Sequence, residues 1–270
     1  MEDKKQPLVS VIIACYNGEK YINQCLEALV NQTYKNIEII ICDDASKDGS
    51  LVLLNQWAAT DPRIVVLHNE TNLFAAETRN RCFKAAKGEY FCIQDIDDIS
   101  KKERIELLLE AIQKVEVDFV SSSMQCFDGT IDNLTGVLSP PKEYPTKRDF
   151  LRGISFNHPA TMFTRVCIEA VSGYRVSPET RRCQDYDMFM RLYAKGFKGK
   201  NIRNPLYLYR REESTYKRGW TYSATVCEYK VRKYGFKLLE LPVIPSFIHS
   251  LRPWASYLFY KVSNLFSIKK

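Results

Sequence analysis

Residues 8–50, LVSVIIACYNGEKYINQCLEALVNQTYKNIEIIICDDASKDGS, decide the fold. A run of β-branched and aliphatic residues, LVSVIIA, gives way to helical spacing over 19–31 and then to a second β-rich run, IEIIIC. The unit repeats with a helical pattern at 50–59, IVVLH, a helix over 75–86, EYFCI, a helix over 102–115 and VDFVSS. Strands and helices in alternation predict an α/β fold whose mainly parallel sheet is covered by helices on both faces. Ligands of such sheets sit beyond the carboxyl ends of the strands, where the loops emerge. The unusual polar residues fall there: Tyr16 and Asn17 after the first strand, Asp43 and Asp44 after the second, and Asp95, Asp97 and Asp98 after the fourth.

The second half is less regular. A Pro-, Gly- and Asp-containing stretch from 128 to 145 reads as a loop crossing the surface, followed by a strand at ATMFT, a helix over 184–195 and a short strand at PLYLY. Lacking its own strand–helix series, this half completes the first domain.

A content of 45% hydrophobic and 12% aromatic residues in 270 is enough for one substantial core, and disorder is not the default. The nine cysteines are odd in number and scattered, without zinc or C-x-x-C spacing, and read as core or surface thiols of a reducing, cytoplasmic compartment. The seven-residue apolar run near the amino terminus has no cleavage pattern of a signal peptide. No stretch approaches the roughly 20 apolar residues of a membrane span.

The net charge of +7 is unevenly placed: residues 217–270 hold ten Lys or Arg against Glu228 and Glu240, a net of +8, and the preceding 216 residues come to −1. Positive charge confined to a tail does not point to nucleic acid as a partner. Within the tail, FIHSLRPWASYLFYKVSNLFSIKK (247–270) mixes aromatic and aliphatic groups with Lys and Arg, as do segments lying on an anionic membrane surface, and Trp254 suits an interfacial anchor. The alternative is a C-terminal helix packed on its own domain with its charges solvated.

QDIDD (94–98) sets carboxylates at 95, 97 and 98 directly after a buried strand. Hard cations such as Mg²⁺ or Mn²⁺ take oxygen ligands, commonly one or two carboxylates plus the phosphates of a substrate. One Asp can be explained as the cap of the next helix, a job Ser100 can also do. Three within four residues repel one another without a cation. Asp43 and Asp44 can accept hydrogen bonds from a base edge or a ribose hydroxyl, or simply shape the turn D-A-S-K-D-G. Tyr16 offers a flat face to a base, or packing.

Taken together, VSVIIACYNGEKYINQCLEALVNQTYKNIEIIICDDASKDGS and TRNRCFKAAKGEYFCIQDIDD (78–98) resemble the family 2 glycosyltransferases, with their Rossmann-like GT-A fold. The likeness is strong over residues 8–122 and weaker over 150–215. It implies that Tyr16 stacks on the donor's base, with Asn17 and Asp43 nearby, that Asp44 reads the base edge, and that Arg79 lies near the nucleotide. Asp95 and Asp97 match the family's Asp-x-Asp, which binds ribose and the diphosphate-bound Mn²⁺ or Mg²⁺, with Asp98 as a further ligand.

CQDYDMFMRLYAKG (183–196) looks like the motif carrying the family's catalytic base, here Asp185, with Asp187 as its rival and Gln184 in place of the usual Glu. FNHPATMFTR (156–165) resembles the acceptor-side segment of bacterial surface-polysaccharide transferases. There His158 touches donor phosphate or acceptor, or is a buried, hydrogen-bonded histidine. Gly173 and Tyr174 form a turn near the acceptor. Phe74 stands where many relatives have Gly, and Glu212 where some place a metal-reaching His.

The resemblance implies inverting transfer of a hexosyl or N-acetylhexosaminyl group from a nucleotide-diphosphate donor, uridine-linked, to a lipid-linked or growing glycan at the cytoplasmic membrane face. The domain scheme is an N-terminal tail (1–7), a GT-A domain (8–216) with donor (8–122) and acceptor (123–216) halves, and a basic extension (217–270). Two other classes compete. A sugar nucleotidyltransferase needs a Gly-rich, basic loop early in the chain, which ACYNGEKY (14–21) does not supply. A silent nucleotide-sugar-binding protein is suggested by Gln184 and opposed by intact Asp95, Asp97, Asp98 and Asp185.

Overall fold

Alternate residues of the first strand, β1 (Val9–Cys15), pack on opposite sides of the sheet. Val9, Val11 and Ile13 join one core layer and Ile12 the other. β2 (Ile37–Asp43) divides in the same way, Ile39 and Ile41 against Ile40 and Cys42. A sheet apolar on both faces has to be covered twice. One layer holds α1 (Glu19–Val30), α2 (Ser50–Thr60) and α4 (Arg104–Val115). The other holds α3 (Phe74–Ala85), α5 (Arg165–Ala170), α6 (Gln184–Ala194) and α7 (Tyr222–Leu238). In α1 the buried residues Ile22, Cys25, Leu26 and Leu29 recur at helical spacing, which makes it a one-faced cover.

The computed structural model describes residues 6–211 and 221–267. Its remaining strands are β3 (Ile64–His68), β4 (Tyr90–Asp95), β5 (Ile99–Ser100), β6 (Phe119–Phe127), β7 (Leu134–Leu138), β8 (Thr161–Thr164) and β9 (Gly199–Arg210). The order across the sheet is β3-β2-β1-β4-β8-β6-β9-β5, with β7 also pairing with β6. The strands β3, β2, β1 and β4 are parallel to one another, as are β6 and β9. Antiparallel β8 sits between β4 and β6 and joins the two parallel groups.

Two local expectations change. The stretch 128–145 is not loop throughout, because β7 pairs with the second half of β6. Its residues are nearly all exposed, so no apolar alternation marks it; it is a strand through its backbone pairing alone. The short strand at PLYLY is the end of the 12-residue β9, whose pairing with β6 shifts register near Pro205, where the backbone N–H is missing.

The basic extension is of two kinds. α7 belongs to the core, with Val231, Phe236 and Leu239 packed beside α6. α8 (Val243–Ser250) and α9 (Arg252–Ser267) follow it. Trp254 is no free anchor: its ring lies 5.6 Å from that of Tyr222, and 6.5 Å from those of Tyr229 and Tyr257. Among the described residues, no helix is long and apolar enough to cross a membrane.

Arg104 is the largest fully buried side chain. Its guanidinium donates to the carbonyls of Ile93 (2.6 Å) and Pro159 (2.8 Å), to Gln94 Oε1 (2.9 Å) and to Ser100 Oγ (2.8 Å). Its carbon lies 4.7 Å from the centre of the Tyr207 ring. One side chain thereby ties α4 to β4, β5, β9 and the turn before β8. Arg104→Met leaves four buried acceptors without this donor, at a cost of about 3 kcal/mol. Thermal unfolding followed by circular dichroism should fall by roughly 6–12 °C for a chain of this size.

Candidate active site

Parallel pairing brings the strand ends to one edge. Cys15 lies beside Asp43 and Ala14 beside Asp95, so the ends of β1, β2 and β4 and the loops leaving them emerge at one edge of the sheet. Tyr16 stands 49% exposed at that edge. Asn17 takes a left-handed backbone conformation that Asn tolerates. Its N–H donates to Ser46 Oγ and its Oδ1 accepts from the Lys47 N–H, which fastens the first loop to the second.

The two aspartates after β2 are largely occupied. Asp43 is fully buried: Oδ2 accepts from the Ser46 N–H and pairs with His68 Nδ1, each at 3.1 Å, and Oδ1 is buried without a hydrogen bond. It shapes the loop from inside. Asp44 Oδ1 accepts from Asn69 Nδ2 and the Leu73 N–H, both at 2.7 Å, and so holds the loop leading into α3. At the start of that helix Phe74 has φ of +64°, a conformation that costs a bulky residue about 1–3 kcal/mol and that Gly adopts freely. Its ring is stacked under the Arg181 guanidinium, 3.4 Å from the ring centre.

The acidic cluster is gathered tightly. One carboxylate oxygen from each of Asp95, Asp97 and Asp98 lies within 4.8 Å of the others, and the three differ in exposure. Asp95 is half-buried, and its Oδ1 accepts from Arg79 Nη2 at 2.5 Å. Asp97 is exposed. Asp98 is buried, with Oδ1 accepting from the Arg210 N–H at 2.7 Å and Oδ2 left without a hydrogen bond. Burial first, then the charges of Asp97 and Asp95, push the Asp98 carboxyl well above the usual carboxylate range. An orphaned, buried oxygen beside two further carboxylates fits a hard divalent cation, which would remove both the repulsion and the unpaired atom. Glu212, the other position considered for a metal, lies outside the described residues.

Asp95 also borders a cavity of about 440 Å³, with Arg79, Asn157, His158, Gln184 and Asp185 among its other walls. Asp185 lies in the first turn of α6, where its Oδ1 accepts from the Tyr186 N–H (2.8 Å). Burial raises its pKa above the ordinary carboxylate value, against the pull of those backbone N–H groups and of Arg79. Gln184, oriented so that its amide nitrogen donates, reaches the carbonyls of Thr180 (3.2 Å) and Arg181 (3.3 Å), a task an ionised Glu cannot perform. Asp187 points elsewhere: it is buried and ion-paired with Arg175 at 2.8 Å and Arg191 at 2.6 Å.

His158 is in the cavity wall but occupied. Its Nε2 is 2.6 Å from the Tyr174 hydroxyl, and burial, with Arg79 nearby, lowers its pKa to about 3. It is a neutral imidazole, unsuited to meeting a phosphate as a cation. Gly173, at φ +68°, makes the predicted turn, and a Cβ there would fall 2.4 Å from Asn80 Oδ1.

Sequence reading missed the supports. Asn80 Nδ2 donates to the Tyr174 carbonyl and its Oδ1 accepts from the Tyr174 N–H, both at 2.8 Å. Tyr207 Oη accepts from the Asp95 N–H at 3.0 Å. Arg210 donates through Nε to the Asp97 carbonyl at 2.8 Å. Asn80 had one signal, an amide in the TRN motif of an otherwise packed helix. Tyr207 and Arg210 looked like ordinary strand residues.

Comparison with known proteins agrees with this geometry. Residues 10–169 match the model of glycosyl transferase family 2. EpsE of Bacillus subtilis is 35% identical over 220 residues, covering 80% of this chain and 78% of that protein. The UDP-Glc:alpha-D-GlcNAc-diphosphoundecaprenol beta-1,3-glucosyltransferase WfaP of Escherichia coli is 32% identical over 194 residues, 72% of this chain and 73% of that protein. Among solved structures, S. aureus TarS 1–349 in complex with UDP-GlcNAc superposes with a TM-score of 0.71 at 21% identity, over 93% of this chain and 71% of that one. The sheet order, the cleft at the strand ends and these matches together establish that the chain belongs to glycosyl transferase family 2 and has the GT-A fold.

Proposed function

We propose that the chain transfers a sugar, with inversion, from a uridine-diphosphate donor to a hydroxyl of a lipid-linked or growing glycan in cell-surface polysaccharide synthesis. The observation that carries this reading is one cavity bordered by both Asp185 and the acidic cluster through Asp95. A base and a diphosphate site on either side of one space are what single displacement needs. The substrate named in WfaP and the UDP-GlcNAc held by the TarS fragment support uridine and a lipid diphosphate carrier.

In this mechanism residues 8–122 hold the donor and residues 123–216 the acceptor. Tyr16 offers its exposed face to the base, while Asp44 and Asn17 keep the surrounding loops in place. Arg79, held by Asp95, presents positive charge beside the diphosphate. Asp95, Asp97 and Asp98 would hold Mn²⁺ or Mg²⁺, which when bound would supply Lewis-acid stabilisation of charge on the leaving phosphate. Asp185 takes the proton of the acceptor hydroxyl as that oxygen attacks the anomeric carbon. The anomeric C–O bond breaks on the opposite face, its electron pair leaving with the nucleoside diphosphate. The buried, neutral His158 is a positioning residue, set by Tyr174 at the cavity wall. The protein works at the cytoplasmic face of the membrane, where its acceptor is carried.

Hydrolysis of a panel of nucleotide sugars by the purified protein, with and without Mn²⁺ or Mg²⁺, tests the reading. Release of UDP from a UDP-sugar only with the cation is expected; no release from any donor and no binding of nucleoside diphosphates would sink it. Asp97→Asn should raise the Mn²⁺ concentration for half-maximal release by roughly tenfold or more.

Asp185→Asn should retain donor binding and lose transfer by roughly a thousandfold. Because the folded-state pKa of Asp185 is raised, its ionised form costs stability once the pH exceeds that of an unfolded carboxyl. The Asn variant should therefore unfold at or above the wild-type temperature at neutral pH. Full activity in it would move the base elsewhere. In the wild type the acid limb of kcat/KM should lie above the roughly pH 4 of an ordinary carboxylate, since the base works only when ionised. A limb below that value would contradict the assignment.

A further inference from the structure

α8 and α9 present an apolar face that the rest of the described chain leaves uncovered. On α8, Val243, Ile244, Phe247 and Ile248 recur at i, i+1, i+4 and i+5, and Leu251 extends the stripe. On α9, Leu258, Phe259 and Val262 repeat the pattern. Val243 is 82% exposed, Ile244 74%, Phe247 64% and Phe259 76%. Eight large apolar side chains are exposed within 20 residues on two consecutive, contacting helices, whereas isolated ones are normal on any surface. The inner sides of the two helices are occupied. Ser250 is buried, Trp254 is enclosed by tyrosines, and α8 rests on α7 and on the 3₁₀ turn Lys147–Leu151.

Charge selects the occupant. From Leu241 to the end, the sequence contains Arg252, Lys261, Lys269 and Lys270 and no Asp or Glu. A second copy docking through the same patch would set these cations against one another. An anionic lipid surface satisfies both features, taking apolar groups at the headgroup boundary and cations at the phosphates. We propose that α8 and α9 lie in the plane of an anionic bilayer, with Val243, Ile244, Phe247, Ile248 and Phe259 entering it and Lys261 meeting the headgroups. This replaces Trp254 as the anchor. It also gives the acceptor a route, because the chain that leaves the turn beneath α8 runs on to Ile154 and Phe156, which line the cavity. The surface deepens the membrane-face reading above, and its test uses no donor, so it stands or falls apart from the transferase chemistry.

The test is flotation of the full chain with vesicles of phosphatidylcholine alone or mixed with phosphatidylglycerol. Wild type should float with the mixed vesicles and less with the neutral ones. The triple variant Ile244→Ser, Phe247→Ser, Phe259→Ser should lose partitioning by roughly a hundredfold with its thermal unfolding unchanged, since those side chains are exposed. Lys261→Glu should weaken binding to the mixed vesicles by roughly tenfold and leave binding to neutral ones unaltered. Wild type that stays below both vesicle types, or a triple variant that floats like wild type, overturns the proposal. So does concentration-dependent self-association that the triple variant abolishes, without flotation, because a second copy would then be the occupant.

Discussion

The buried guanidinium of Arg104 is the constraint on which the cleft depends. A cation taken from water is costly unless its donors find acceptors, and here Nη1 and Nη2 meet carbonyls, an amide and a hydroxyl from three different elements, with only Nε left without a partner. The carbonyl of Ile93 belongs to β4 just before the acidic cluster, and that of Pro159 to the turn just after His158. One side chain thus sets the distance between the strand that ends in Asp95 and the segment that walls the cavity. Gln94 continues the link: its Oε1 accepts from Arg104 and its Nε2 donates to the carbonyls of Asp95 and Asp98. The acidic cluster is thus held through its backbone carbonyls, in addition to the contacts of Asp95 with Arg79 and of Asp98 with the Arg210 N–H.

That separation of backbone from side chain sorts the aspartates. Asp44 and Asp187 accept from a loop N–H, an amide or arginines, and Asp43 accepts from the Ser46 N–H and pairs with His68, although its Oδ1 is buried without a hydrogen bond. Asp98 has one oxygen spent and one orphaned, and Asp185 has been lifted in pKa by burial beside a cavity. The two groups look alike in sequence: D-D occurs at 43–44 and again at 97–98. What differs is the next few residues. After Asp43 the chain turns at once, with Ala45 at positive φ, and the Ser46 N–H folds back onto the Asp43 carboxylate. After Asp98 it enters β5, whose N–H groups are engaged by the sheet.

This explains which parts were legible in the sequence. The strands β1, β2 and β4 and the helices that follow them were readable because burial on both faces forces runs such as VSVIIAC and IEIIIC, and one-sided covers force helical spacing. The acidic cluster was readable because three carboxylates within four residues repel one another. β7 was not, since its residues are solvated and its order comes from backbone pairing with β6. The supports Tyr207, Arg210 and Asn80 were invisible for a related reason: each acts through a contact more than 90 positions away in the chain, to which no local spacing refers.

Two of the three departures from the family pattern acquire physical reasons of different kinds. Gln184 replaces a charge by a donor, and its amide holds the Thr180 and Arg181 carbonyls that lead into α6. Phe74 replaces a residue free to adopt positive φ by one that is not, and the strain persists only because the backbone around it is over-determined. The Phe74 N–H donates to Asn72 Oδ1, its carbonyl accepts from the Thr78 hydroxyl, and Arg181 covers its ring. The two substitutions therefore meet on one segment, residues 180–184. Gln184 fixes it from the α6 side and Phe74 from the α3 side. Asp44 holds the loop that carries Phe74, and Asp185 follows Gln184 directly, so the donor loop and the acceptor-side carboxylate are joined mechanically through a single stacked arginine.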